Sequence, residues 1–341
     1  MSRHTAFQVE GKPFFALGGQ VQNASAYQMV DLDVAFDVVR SFGGNSIAIP
    51  IYWEKIEPAE GQFDFSIVGD ILERCRTEGL RAILLWFGSW KNGTMKYTPV
   101  WVKKNPQRFR RVMTPSGDAT SVLSTHCAEN FEADRKAFVR LMGYIKDKDE
   151  AEGTVIGVQV ENEPGIIGGT VRDFSPEGDA AMREPVPEKL LAYLEQRPDS
   201  EATAAWRAAG GKRGDWETVF GDYGSLFMQT WSMANYIDGV AAAGKAVYDL
   251  PLYTNVWNDK GGWDIGGVSF PSGGAATRVL DLWKCACEAI DFLSPDIYCG
   301  DKESYEYYMR AFTREDNPLY IPESQCYGPG PNVRRSEERR V

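Results

Sequence analysis

Seven short apolar runs, separated by segments of helical period, constrain this chain's fold more than any other feature. They span residues 14–20, 45–51, 81–87, 154–160, 251–257, 292–298 and 319–323. Between them lie helical stretches near 31–42, 66–78, 130–149, 223–248, 276–289 and 304–313. In the first of these, Val34, Val38 and Val39 are expected on the buried face, with Gly43-Gly44 as a helix stop. Regular strand–helix alternation implies a parallel sheet with helical crossovers. An open doubly wound sheet usually carries a glycine-rich phosphate loop after its first strand, and Gly18-Gly19-Gln20 is not GxGxxG. The expected fold class is therefore α/β, a (β/α)8 TIM-type barrel with seven strands readable.

No repeat, low-complexity tract or linker divides the chain. One barrel domain is expected over 1–333, with a long insertion at about 165–221 and a charged tail at 334–341. An insertion of that length is commonly functional, such as a wall of the active site. Only the stretch 187–195 within it reads as a helix. After Glu323 come a Gly/Pro loop and the run Arg334-Arg335-Ser336-Glu337-Glu338-Arg339-Arg340, with no apolar eighth strand. An unclosed barrel leaves two exposed edges, so self-association into a homo-oligomer through the open edge is expected.

Composition narrows the function by exclusion. A net charge of -11 repels phosphate backbones and anionic lipid, so neither nucleic acid nor a membrane surface is an expected partner. With two histidines, His4 and His126, a Ser-His-Asp triad or a His-based metal site has almost nothing to work with. The six cysteines form no CxxC pair, so neither zinc nor a disulfide framework is expected, and no cofactor is implied. The N-terminus shows no signal peptide and no run spans a membrane. A cytoplasmic protein is expected, or a periplasmic or secreted one whose leader has been removed.

Barrel enzymes place their chemistry at the C-terminal ends of the strands. The fourth run ends in Gln159-Val160-Glu161-Asn162-Glu163-Pro164-Gly165. Strict alternation would set Gln159, Glu161 and Glu163 on one face, where neighbouring carboxylates raise each other's proton affinity. The seventh run ends in Glu323. Aromatic residues mark other strand ends: Trp53, Trp86, Trp90, Trp257 and Tyr298. Runs four and seven face each other across a barrel mouth, so Glu163 and Glu323 can flank one glycosidic bond. A carbohydrate is the expected substrate.

These residues resemble glycoside hydrolase clan A, in which Asn-Glu closes strand four and a Glu closes strand seven. QVENEPG is similar to the signature of family 35 β-galactosidases. GGNSIAIPIYWEKIEPAEGQFDFS resembles the second-strand region shared by families 35 and 42, and EGKPFFALGGQVQNAS resembles the family 35 first strand. The resemblance implies Glu163 as acid/base, Glu323 as nucleophile, Asn162 on the sugar 2-hydroxyl and Tyr298 holding the nucleophile. It places Glu161 deeper, binding sugar hydroxyls or orienting Glu163, with Gln20, Asn23, Trp53 and Trp86 at matching positions that serve equally as substrate contacts, packing or wall residues. Trp257, from the aromatic rim, is also expected to bind substrate. Pro164 departs from the family 35 pattern, where an aromatic is usual. The family's barrel also continues through an eighth strand and further β-domains.

The expected activity is that of a retaining exo-β-glycosidase, foremost a β-galactosidase. Alternatives are a glucosidase, mannosidase or fucosidase, or a catalytically impaired barrel that only binds sugar. A Schiff-base lyase ranks last, because no lysine ends any of the seven runs.

Overall fold

The structure, a computed structural model, describes residues 4–259 and 264–324. Its main sheet has six parallel strands: β1 (Gly18–Gln20), β2 (Ser46–Tyr52), β3 (Arg81–Lys91), β4 (Val155–Asn162), β5 (Leu252–Trp257) and β6 (Phe292–Asp296). Each strand is hydrogen-bonded to the next one in the chain. The crossovers contain α1 (Met29–Ser41), α2 (Ser66–Glu78), α3 (Ala128–Asp149), α4 (Gly224–Val247) and α5 (Leu280–Ala286), and α6 (Lys302–Phe312) follows β6. A doubly wound sheet reverses its strand order at a switch point. This order never reverses, and the sheet curls into a half-barrel with helices.

Every residue of β2 and β4 is buried, as is β3 beyond Arg81. Parallel strands covered on both faces need continuous apolar runs rather than alternation. At the base, Phe7 sets its ring edge-on to Tyr253, Phe292 and Tyr320. Gly157 is required there, since a Cβ would stand 2.5 Å from the Phe7 ring.

Among the described residues six strands make the sheet. The seventh run meets β6's extension at an isolated parallel bridge between Ile297 and Ser324, where the Ile297 amide donates to the Glu323 carbonyl at 2.9 Å. Pro318 and Pro322 remove two amide donors within five residues, which weakens a ladder here. Beside this run lies a cavity of about 260 Å³, lined by Phe7, Phe14, Ala16, Phe292, Leu319 and Tyr320 among others.

Helix α1 turns differently from the sequence expectation. It buries Leu32, Phe36 and Val39, while Val34 and Val38 are exposed. Both rows fit helical spacing, and the bulkier one faces the sheet. Val30, Val34, Val38 and Phe42 form an exposed apolar row at four-residue intervals.

The insertion is more ordered than expected. It holds helices Pro176–Arg183, Glu188–Glu195, Glu201–Ala208 and Trp216–Phe220, which pack on one another and on α4 and α5. The charged tail at 334–341 and Cys326 lie outside the described residues. The other five cysteines are free thiols. Among the described residues no helix is long and apolar enough to cross a membrane.

Candidate active site

The ends of β3 and β4 are joined through a bulge. Register runs from Trp86 opposite Val160 directly to Lys91 opposite Asn162, so four residues of β3 stand against Glu161. The Glu161 carboxylate accepts the amides of Ser89 (3.0 Å) and Trp90 (2.7 Å), filling the place of the missing ladder. Gly88 is obligatory in this bulge, because a Cβ would lie 2.6 Å from Glu161 Oε1.

Backbone conformation then breaks the alternation read from sequence. Glu161 has φ of 64° and Glu163 has φ of 44°, a left-handed region that non-glycine residues enter at a cost of about 1–3 kcal/mol. As a result Glu161 turns into the bulge, while the consecutive Asn162 and Glu163 both turn toward Glu323. Strain of this kind clusters where geometry serves a site. The amides of Asn92 and Gly93 close the corner by donating to the carbonyls of Asn162 and Glu163.

Glu163, Asp296 and Glu323 come together beside a cavity of about 550 Å³. One carboxylate oxygen from each lies within 4.8 Å of the others. Asn23, Lys91, Asn92, Trp257, Asn258 and Tyr298 also line this cavity. The three carboxylates could converge on a cation, but the Lys91 ammonium already supplies positive charge to all three.

Glu323 is surrounded by donors. Its Oε1 accepts Gln20 Nε2 (2.7 Å), Asn162 Nδ2 (3.3 Å) and Asn255 Nδ2 (3.3 Å), and its Oε2 accepts the Tyr298 hydroxyl (2.6 Å). Burial and the charge of Glu323 raise the Tyr298 phenol, which stays protonated as a donor.

Glu163 has the opposite environment. Burial foremost, and then the charge on Glu323, push its carboxyl up to about 7 against the opposing pull of Lys91. Its backbone amide donates to Asn255 Oδ1 at 2.7 Å, and Asn92 Nδ2 donates to its carboxylate. Burial and the charges of Glu323 and Glu163 hold Asp296 far above the usual carboxylate range. Thus a carboxyl pushed up to about 7 faces the four-donor Glu323 side chain, an oxygen of each lying within 4.8 Å of the other.

Of the sequence candidates, Glu163, Glu323, Asn162, Tyr298 and Gln20 converge here, and Asn23 and Trp257 line the cavity. Trp53 and Trp86 do not reach it. Both are fully buried, with their indole N–H groups on Glu57 (2.7 Å) and Asp134 (2.9 Å). Nor does Glu161, which is fully buried beside Asp134, both carboxyls being raised by burial above all. No lining residue of the cavity comes from 165–221, so the insertion is not its wall.

Lys91, Asn92, Asn255, Asn258 and Asp296 belong to the site without being sequence candidates. The third apolar run stops at Phe87, whereas the strand continues to Lys91. That overturns the statement that no lysine ends a strand. Asn255 and Asp296 lay inside apolar runs, where a fully buried polar side chain is itself a signal.

Comparison with known proteins finds one partial family match and similar solved folds. The family profile described as β-galactosidase, that of glycoside hydrolase family 42, matches residues 29–196, just under half of the chain. The match is to the family 42 type within clan A, so the family 35 expectation is not supported. A search of the curated proteins finds no match.

Solved structures share the fold at low identity. The β-galactosidase from Bacillus circulans sp. alkalophilus is 16% identical with a TM-score of 0.53, covering 86% of this chain and 42% of its own. The β-galactosidase from the psychrophilic Marinomonas ef1 is 14% identical with a TM-score of 0.56, covering 91% and 48%. This chain thus spans less than half the length of these β-galactosidases. The catalytic domain of β-amylase from Paenibacillus polymyxa is 13% identical with a TM-score of 0.60, covering 94% and 89%.

Proposed function

We propose that the chain is a retaining exo-β-glycosidase of β-galactosidase type, with Glu163 as general acid/base and Glu323 as nucleophile. The observation that carries this is the approach of the Glu163 and Glu323 carboxylates to within 4.8 Å. Retaining enzymes hold this pair about 5–5.5 Å apart, and inverting ones about 6.5–9.5 Å to admit a water. The environments support the same division of roles, since the carboxyl near 7 suits proton transfer and the four-donor carboxylate suits attack.

In the first step a Glu323 oxygen bonds to the anomeric carbon as the bond to the leaving oxygen breaks. Glu163 gives its proton to that oxygen. In the second step Glu163, now a carboxylate, takes a proton from water, whose oxygen bonds to the anomeric carbon and releases Glu323. Tyr298 and Gln20 hold Glu323, and Asn162 meets the sugar 2-hydroxyl. Asn23 and Trp257 contact the sugar in the cavity. The half-barrel is read as part of a TIM-type (β/α)8 barrel, six of whose strand positions are occupied among the described residues.

Lys91 does not turn this site into a Schiff-base lyase. Burial lowers the proton affinity of its ammonium, the charges of Glu163, Glu323 and Asp296 oppose that lowering, and its Nζ is committed to Asn162 Oδ1 at 2.6 Å. The test is hydrolysis of p-nitrophenyl β-galactoside beside the glucoside, mannoside and fucoside, with Glu323→Gln as control. Galactoside hydrolysis that is absent in the variant supports the proposal. A folded wild-type protein that cleaves none of the four overturns it.

A further inference from the structure

Lys91 is the one strong cation of the cavity that the double displacement leaves unused. It is 1% exposed and stands over the Phe87 ring at 5.2 Å. The bulge carries it there, since without three extra residues in β3 it would not meet Asn162 in register. Its Nζ donates to Asn162 Oδ1 at 2.6 Å. On its other side Asn162 Nδ2 donates to Glu323 Oε1 at 3.3 Å.

An ammonium can only donate and an ionised carboxylate can only accept. An amide held between them has one permitted orientation, oxygen to the lysine and nitrogen to the carboxylate. We propose that Lys91 is the positioning residue for Asn162: by taking the amide oxygen it aims the amide nitrogen at Glu323 and at the hydroxyl on the sugar carbon next to the anomeric one. This rests on the glycosidase function above and deepens it, since it makes the 2-hydroxyl a specificity determinant of this site.

The charged and titratable groups facing Lys91 are Glu163, Glu323 and Asp296, with Lys96 more weakly opposed. Lys91 also draws the Glu163 carboxyl downward against burial. Loss of its charge therefore moves the basic limb of the activity profile upward, a change that a purely packing role would not produce.

The experiment compares wild type, Lys91→Met and Lys91→Gln on p-nitrophenyl β-galactoside and its 2-deoxy analogue. A hydrogen bond to a charged group is worth enough that Lys91→Met should lose about 10- to 100-fold in kcat/KM on the galactoside. On the 2-deoxy substrate the loss should be less than about threefold, because the aimed amide has no hydroxyl to meet. Lys91→Gln keeps a donor, so it should recover part of the galactoside activity without restoring the position of the basic limb.

The Asn162 side-chain amide is followed by NMR in the same three proteins, which also shows whether each variant folds. Its resonance should move in Lys91→Met and return part of the way in Lys91→Gln. Equal losses on both substrates in an active enzyme overturn the inference for Lys91 and leave the glycosidase function standing. An inactive wild type overturns that function, and the amide resonance then decides Lys91: a signal unchanged by Lys91→Met overturns it, and the expected shift supports it.

Discussion

Replacing Glu163 by Gln should stabilise the protein at alkaline pH while disabling it. The carboxyl is moved from 4.5 to about 7, chiefly by burial and then by the Glu323 charge. Below pH 4.5 folded and unfolded chains both carry this proton. Between 4.5 and 7 the folded chain keeps a proton that the unfolded chain has released, so stability falls as pH rises. Above 7 both forms are ionised, and the loss is complete and constant. At about 1.4 kcal/mol per tenfold change in proton affinity, the difference amounts to roughly 3 kcal/mol.

Glutamine cannot ionise, so the variant escapes this loss. The assay is urea unfolding of both proteins at pH 4.5 and pH 8. The lost carboxylate contacts affect the two pH values alike, and the change in the stability gap isolates ionisation. The gap should move in favour of Glu163→Gln by roughly 3 kcal/mol between those pH values, about 4 °C in melting temperature for a chain of this size. A gap that stays constant, or moves toward the wild type at pH 8, refutes a buried and repelled carboxyl at this position.

Other consequences are simpler to read. With Glu163 as the essential acid, kcat/KM should decline above about pH 7, and a profile flat to pH 9 contradicts that role. Tyr298→Phe removes a 2.6 Å bond to Glu323 and should lower kcat by about 10- to 100-fold with little change in KM, measured by steady-state kinetics. The row Val30, Val34, Val38 and Phe42 is exposed, and we propose that it lies at the edge through which copies associate. Val34→Glu with Val38→Glu should then shift sedimentation toward monomer, and an unchanged distribution excludes this face.

Much of the fold was legible because parallel buried strands leave long apolar runs. The runs at 45–51, 154–160 and 251–257 coincide closely with β2, β4 and β5. The seventh differs for a local reason, Pro318 just before it and Pro322 inside it. The site was legible in Glu163 and Glu323, whose side chains end runs. It was not legible where the backbone departs from regularity. Alternation assigned Glu161 to the substrate face, but left-handed φ at Glu161 and Glu163 reverses the facing, and no periodicity encodes that. The bulge hid Lys91 similarly, by carrying an apolar run four residues beyond the expected end. Trp53 and Trp86 illustrate the converse, since an indole at a strand end serves equally well as core when its N–H finds a buried carboxylate.

The most direct measurement is to trap the covalent intermediate. The protein is incubated with 2,4-dinitrophenyl 2-deoxy-2-fluoro-β-galactoside, digested and mapped by mass spectrometry. A 2-fluorogalactosyl group on the peptide containing Glu323, absent in Glu323→Gln, is the predicted result. Release of dinitrophenol without any labelled peptide, or a label on another residue, contradicts a nucleophilic Glu323.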